Sequence, residues 1–314
     1  MIKINNCNYP KNIFSVIVIL IVFIGCKKST EDNNNSIPTN PNSNTSSFTF
    51  TNPGFPQKPI RVFYHIPANG DKKTMPILLL LHGDQRNASD YRDGSISLAN
   101  NKQFMVFAPE FSEASFPDVN YAIGNVYSDG NNPSTASIQP EAQWTYSYIE
   151  PLFDYIKQFT GSTKSSYKIF GFSAGGQFVH RFVMFKPSAR YDTAIAASSG
   201  WYTVPNPTIA YPNFPYGIAN SPLANTTPSS YFSRKLIITI GQLDNNNNDA
   251  AIRHNTQSDA QGLNRLDRSL YFIQQSQAYS TSLSTTFNWE YKVVNNAGHD
   301  SQLMLQAAIN QLFQ

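Results

Sequence analysis

The sequence predicts an α/β fold: a doubly wound, mostly parallel sheet with helices on both faces. Short continuous apolar runs such as Ile77 to Leu81 recur along the chain, and helix-length segments separate them. A run of that kind suits a strand covered on both faces, and strands alternating with helices imply crossovers between parallel neighbours. Length agrees, because the stretch from about Phe48 to Gln314 is enough for one large domain with a central sheet and flanking helices.

Taken in order, the chain opens on a leader, residues 1–25. Lys3 and Lys11 give it a positive start, and Ile13 to Gly25 is apolar but shorter than the roughly 20 residues a spanning helix needs. The run ends in Phe23-Ile24-Gly25-Cys26, which resembles a bacterial lipobox with Phe23 where Leu is usual. That resemblance implies acylation of Cys26, a lipid anchor and a place in the bacterial cell envelope. The alternative is an ordinary cleaved signal peptide in which Cys26 is incidental. Residues 26–47, rich in Asn, Ser, Thr and Pro, bury too little surface to offset chain entropy and are expected to form a flexible tether.

Within 48–314, strands are expected at Pro59 to Ile66, Ile77 to Leu81, Phe104 to Ala108, Tyr167 to Phe170, Thr193 to Ala197, Leu236 to Ile240 and Phe287 to Val294. Helices are expected at Ala88 to Asn100, Trp144 to Phe159, Ala174 to Phe185, Leu266 to Ser280 and Ser301 to Phe313. Pro151 requires the second helix either to kink there or to start near it.

Composition narrows the function. The chain has only Cys7, inside the leader, and Cys26, so the mature protein has no internal disulfide and no cluster of cysteine metal ligands. Net charge is +3, falling to +1 once Lys3 and Lys11 leave. No basic stripe points to nucleic acid, and no acidic run to a metal-binding tail.

The chemistry gathers at strand ends. Gly171-Phe172-Ser173-Ala174-Gly175 satisfies G-x-S-x-G between a strand and a helix. A turn that sharp forces the serine into a strained backbone conformation, and the residues two before and two after it approach closely, which suits glycine. The helix that follows aims free N–H groups and its positive end at a developing oxyanion. A serine hydroxyl still needs a base. His299, in Asn296 to Asp300, follows the last strand, whereas His65 and His82 precede Ser173, His180 is in the helix after it, and His254 lies in the polar stretch Ala251 to Gln261. Asp244, three residues after Gly241 at the end of the Leu236 to Ile240 strand, is the expected acid. Asp249 is the runner-up, and Asp300 is expected to cap the final helix. The oxyanion donors are expected to be the Ala174 N–H and one from His82-Gly83-Asp84-Gln85: Asp84, with Gly83 or Gln85 as alternatives.

Across about Pro59 to Gln314 these residues resemble the α/β-hydrolase superfamily: His82-Gly83, Gly171 to Gly175, Asp244 and Gly298-His299. In general layout the chain looks most similar to the polyhydroxybutyrate depolymerase-like and feruloyl esterase-like groups. The resemblance implies Ser-Asp-His order, no cofactor or metal, and acyl transfer to water, with an ester the favoured substrate. A serine peptidase and a non-catalytic binding lipoprotein are the competing classes. Aromatic residues of the long loops, Tyr121 and Tyr127 between Phe111 and Gln143, Trp201-Tyr202, and Phe214 within Tyr211 to Tyr216, either wall a substrate pocket or pack the loops down. Trp201 and Tyr202 are the substrate-binding candidates.

Overall fold

The computed structural model describes residues 44–130 and 133–314; the expected leader and Cys26 lie outside the described residues. Eight strands form one sheet in the order β1-β2-β4-β3-β5-β6-β7-β8. They are β1 (Thr45–Phe50), β2 (Ile60–His65), β3 (Ile77–Leu81), β4 (Met105–Glu110), β5 (Tyr167–Phe172), β6 (Tyr191–Ala197), β7 (Leu236–Gly241) and β8 (Trp289–Val294). β2 pairs antiparallel with both β1 and β4, and every other pairing is parallel.

Alternation along the strands assigns the faces. Leu78, Leu80, Phe170, Phe172, Ile195 and Ala197 point one way, onto α1 (Ala88–Lys102) and α8 (Ser301–Leu312). Ile77, Leu79, Leu81, Ile169, Ala194 and Ala196 point the other way. That second face is covered by three helices, α3 (Ile149–Thr160), α4 (Ala174–Phe185) and α7 (Arg265–Ser282); the connections also hold the short helices α2 (Asp118–Ala122), α5 (Pro228–Phe232) and α6 (Thr256–Asp259). All residues of β3 and β7 are buried, as unbroken apolar runs require of strands with helices on both sides.

Pro151 does not kink a helix. α3 starts at Ile149, after a 3-10 turn over Thr145–Tyr148, so the proline sits in the first helical turn, where a missing N–H costs nothing. The tether boundary needs correction, because β1 takes up Thr45, Ser46 and Ser47. As an edge strand with exposed residues, β1 tolerates a Ser/Thr sequence, and Phe48 and Phe50 secure it against Tyr155.

Candidate active site

The carboxyl ends of β3, β5, β7 and β8 bring together what the chain keeps far apart. β5 runs into α4 through Ser173, whose φ of 55° and ψ of −112° lie outside the regions ordinary residues occupy. The Ser173 N–H donates to the Ala197 carbonyl at 2.9 Å, which pins the elbow to β6. The close approaches expected of the flanking residues are present. A Cβ on Gly171 would lie 2.1 Å from the Gly175 carbonyl oxygen, and one on Gly175 would lie 2.3 Å from that of Leu81.

His299 follows β8 and presents Nε2 to Ser173 Oγ at 3.3 Å, while its Nδ1 meets Asp244 Oδ2 at 2.9 Å. A carboxylate accepts and cannot donate, so Nδ1 carries the proton and Nε2 is free to accept from the serine. The ring lies against Phe172, centroids 4.6 Å apart. Asp244 is 5% exposed, and the Leu266 N–H at the start of α7 donates to its carbonyl oxygen. Asp249 bonds neither His299 nor Ser173. Although burial raises its carboxyl, the Ala251 N–H and the Arg265 guanidinium hold it below the usual carboxylate range. Asp300 caps α8 as expected, accepting from the Gln302 and Leu303 N–H groups.

A cavity of about 250 Å³ opens over the serine, lined among others by Gly83, Asp84, Gln85, Tyr91, Ala251, Arg265 and His299. The loop after β3 therefore faces Ser173. Of its three donor candidates Gly83 is taken, because its N–H donates to the Tyr91 hydroxyl at 3.1 Å. Arg86 N–H closes the turn onto the Gly83 carbonyl, leaving the N–H groups of Asp84 and Gln85 without an acceptor among the described residues. Ala174 opens α4, where the first N–H groups of a helix have no partner within it.

Tyr121 and His82, named in the sequence only as a loop aromatic and as part of the His-Gly pair, brace this loop. Tyr121, fully buried, donates to the His82 carbonyl at 2.8 Å and stacks on the His82 ring. His82 itself accepts the Phe111 N–H, and burial pushes its imidazole down to about 4, so at neutral pH it is an uncharged strut. His180 is likewise buried, set between the Gly176 carbonyl and the Thr203 N–H, and His254 pairs with Asp259.

The candidates Trp201 and Tyr202 do not wall this cavity, which corrects the sequence expectation. Trp201 is 4% exposed and sandwiched by Arg181, 4.2 Å from its ring centroid, and Arg253, at 4.9 Å. Tyr202 is fully buried, stacks on Phe272, and has its backbone N–H and carbonyl held by the Gln261 amide. Tyr127 and Phe214 stack on each other in the same way. These aromatics fasten loops to the domain.

No protein-family model matches the chain, and no curated protein does. Among solved structures, poly(aspartic acid) hydrolase-1 from Sphingomonas sp. KT-1 is similar at 35% identity and a TM-score of 0.78, over 86% of this chain and 98% of that one. The poly(3-hydroxybutyrate) depolymerase LpqC from Bordetella parapertussis is similar at 26% identity and a TM-score of 0.76, over 86% and 89%. S-formylglutathione hydrolase from Staphylococcus aureus shares the fold at 17% identity and a TM-score of 0.51, over 86% and 98%.

Proposed function

Because the chain belongs to the α/β-hydrolase family, we propose that this hydrolase cleaves carboxylic esters through an acyl-enzyme on Ser173. The observation that carries the proposal is the continuous chain of hydrogen bonds from Ser173 Oγ through His299 to Asp244. In this reading His299 Nε2 takes the serine proton as Oγ attacks the carbonyl carbon. Asp244 holds the ring in the tautomer that can accept and stabilises the imidazolium that forms. The oxyanion is received by the N–H groups of Ala174 and Asp84, which are fixed before the substrate arrives. His299 then returns the proton to the leaving alkoxide and activates a water that breaks the acyl-enzyme.

The names of the similar structures support polymeric substrates. One is a polyester depolymerase. The other acts on poly(aspartic acid), whose links are amides, and this favours a second reading in which the same site cleaves an amide-linked polymer. Hydrolysis of p-nitrophenyl acyl esters, measured beside chain shortening of poly(3-hydroxybutyrate) and poly(aspartic acid), separates the readings. Ester turnover that disappears in Ser173→Ala supports the first. Shortening of poly(aspartic acid) without ester turnover supports the second, and a folded protein inert to all three is left as a binding lipoprotein.

The proposal extends to location: lipid on Cys26 would hold the enzyme in the bacterial cell envelope at the end of its tether. The support is the short apolar run that ends at that cysteine. Incorporation of an alkyne fatty acid that is lost in Cys26→Ser would bear this out; unchanged incorporation would refute it.

A further inference from the structure

Asp244 does not face His299 alone. Its Oδ2 accepts from the imidazole, while Oδ1 accepts from Arg265 Nη1 at 3.3 Å. Arg265 is the first residue of α7, and its side chain is 4% exposed. The same Nη1 donates to Asp249 Oδ2. Asp249 in turn accepts the Ala251 N–H on its other oxygen at 2.9 Å, and Ala251 and Arg265 both line the cavity over Ser173. One guanidinium thus joins the acid of the triad to the loop that walls the pocket.

The arrangement is a poor device for stability alone. Two carboxylates share one nitrogen, and Arg265 Nε is buried with no acceptor among the described residues. An orphaned buried donor costs stability, and buried ion pairs are often matched by apolar replacements. What the guanidinium does supply is direction. With Oδ1 occupied and the Asp244 backbone tied to Leu266, the carboxylate has one way to turn, and Oδ2 is left for His299.

Resting on the triad reading above, we infer that Arg265 is a positioning residue, fixing Asp244 against His299 and coupling that pair to the pocket wall through Asp249. Its charge also acts on the imidazole. The charged groups around His299 are Asp244, Asp249 and Arg265 on the acid side, Asp84 in the shared cavity, and Asp300 at the α8 cap; the Phe172 ring and Ser173 complete the surroundings. Removing the positive charge of Arg265 and removing the negative charge of Asp249 change the electrostatic field at the ring in opposite senses.

The two effects have opposite signs, and that separates positioning from structure. The test is kcat/KM against pH for p-nitrophenyl acetate, using full-length wild type, Arg265→Gln and Asp249→Asn, with fluorophosphonate labelling and far-UV circular dichroism alongside. For Arg265→Gln, kcat should fall by up to about a hundredfold with KM little changed, because a triad member is misplaced. The acid limb of its profile should move to higher pH, because a positive charge beside the site has been removed. For Asp249→Asn the limb should move to lower pH. Limbs that stay in place, or that move in the same direction, would overturn the inference. If Arg265→Gln does not fold, Asp249→Asn decides alone: a downward shift supports the coupling and an unmoved limb defeats it. A wild type that neither labels nor turns over would instead defeat the triad reading, a result distinct from any of these.

Discussion

Replacing Gly175 by alanine tests whether the elbow and the loop after β3 form one tight unit. The added methyl would lie 2.3 Å from the Leu81 carbonyl oxygen and 2.6 Å from that of His82, where ordinary contact begins near 3.4 Å. Both obstacles are backbone. β3 is held in register between β4 and β5, so no flexible side chain can yield. The start of α4 must therefore move away from β3 by about 1 Å. Overpacking of that order costs roughly 2–3 kcal/mol, within the usual 5–15 kcal/mol margin of a folded domain. The variant should fold with a Tm lower by about 5–10 °C. Activity should suffer more than stability. The displaced segment carries Ser173 and Ala174, and the carbonyl it strikes belongs to the residue just before Gly83 and Asp84, so both arms of the proposed oxyanion site shift. A misplacement of about 1 Å is worth about a hundredfold in rate. Thermal unfolding and kcat/KM on p-nitrophenyl acetate, measured on the same preparation, give both numbers. A variant with unchanged Tm and full activity would refute the close-approach argument.

Two further outcomes follow from buried groups. His82 has an imidazole held near 4 by burial against an ordinary 6.5, so its neutral form contributes stability that is fully present above pH 6.5 and lost as pH falls toward 4. The gap is worth about 3 kcal/mol, and His180, also lowered by burial, adds in the same direction. Urea midpoints should fall across that window, and flat midpoints would contradict the assignment. Trp201→Ala should cost about 3–5 kcal/mol of stability by emptying a packed site between two guanidinium groups. KM for short esters should stay within about twofold on the folded fraction; a selective rise in KM would return Trp201 to the pocket.

The centre of the sheet was readable because β3 and β7 are unbroken apolar runs and α3 carries a core-facing stripe of Ile149, Leu152, Phe153, Ile156 and Phe159. β3 and α4 match their expected bounds. β1 was hidden because an exposed edge strand of Thr and Ser has the composition of a tether. Ser173, Asp244 and His299, which the fold joins in one chain of hydrogen bonds, could be picked out by motif and order, since each follows a strand end. The aromatic loops were ambiguous in principle: a Trp-Tyr pair after a strand looks the same whether it faces substrate or core, and only tertiary packing around Arg181 and Phe272 decides it. Arg265 gave no signal, because its partners Asp244 and Asp249 meet it only in the folded chain. In sequence it is one more charge beside the Asn264 cap of α7. Gly83 could be set aside as an oxyanion donor only once the Tyr91 hydroxyl was seen to take its N–H.

The most direct measurement of the central claim is the site of covalent modification. The protein is treated with a fluorophosphonate, its intact mass is recorded, and the labelled peptide is sequenced by mass spectrometry. The account predicts a single adduct on Ser173, absent in Ser173→Ala and formed far more slowly in His299→Ala. A folded wild type that takes up no label, or takes it up at another serine, would contradict it.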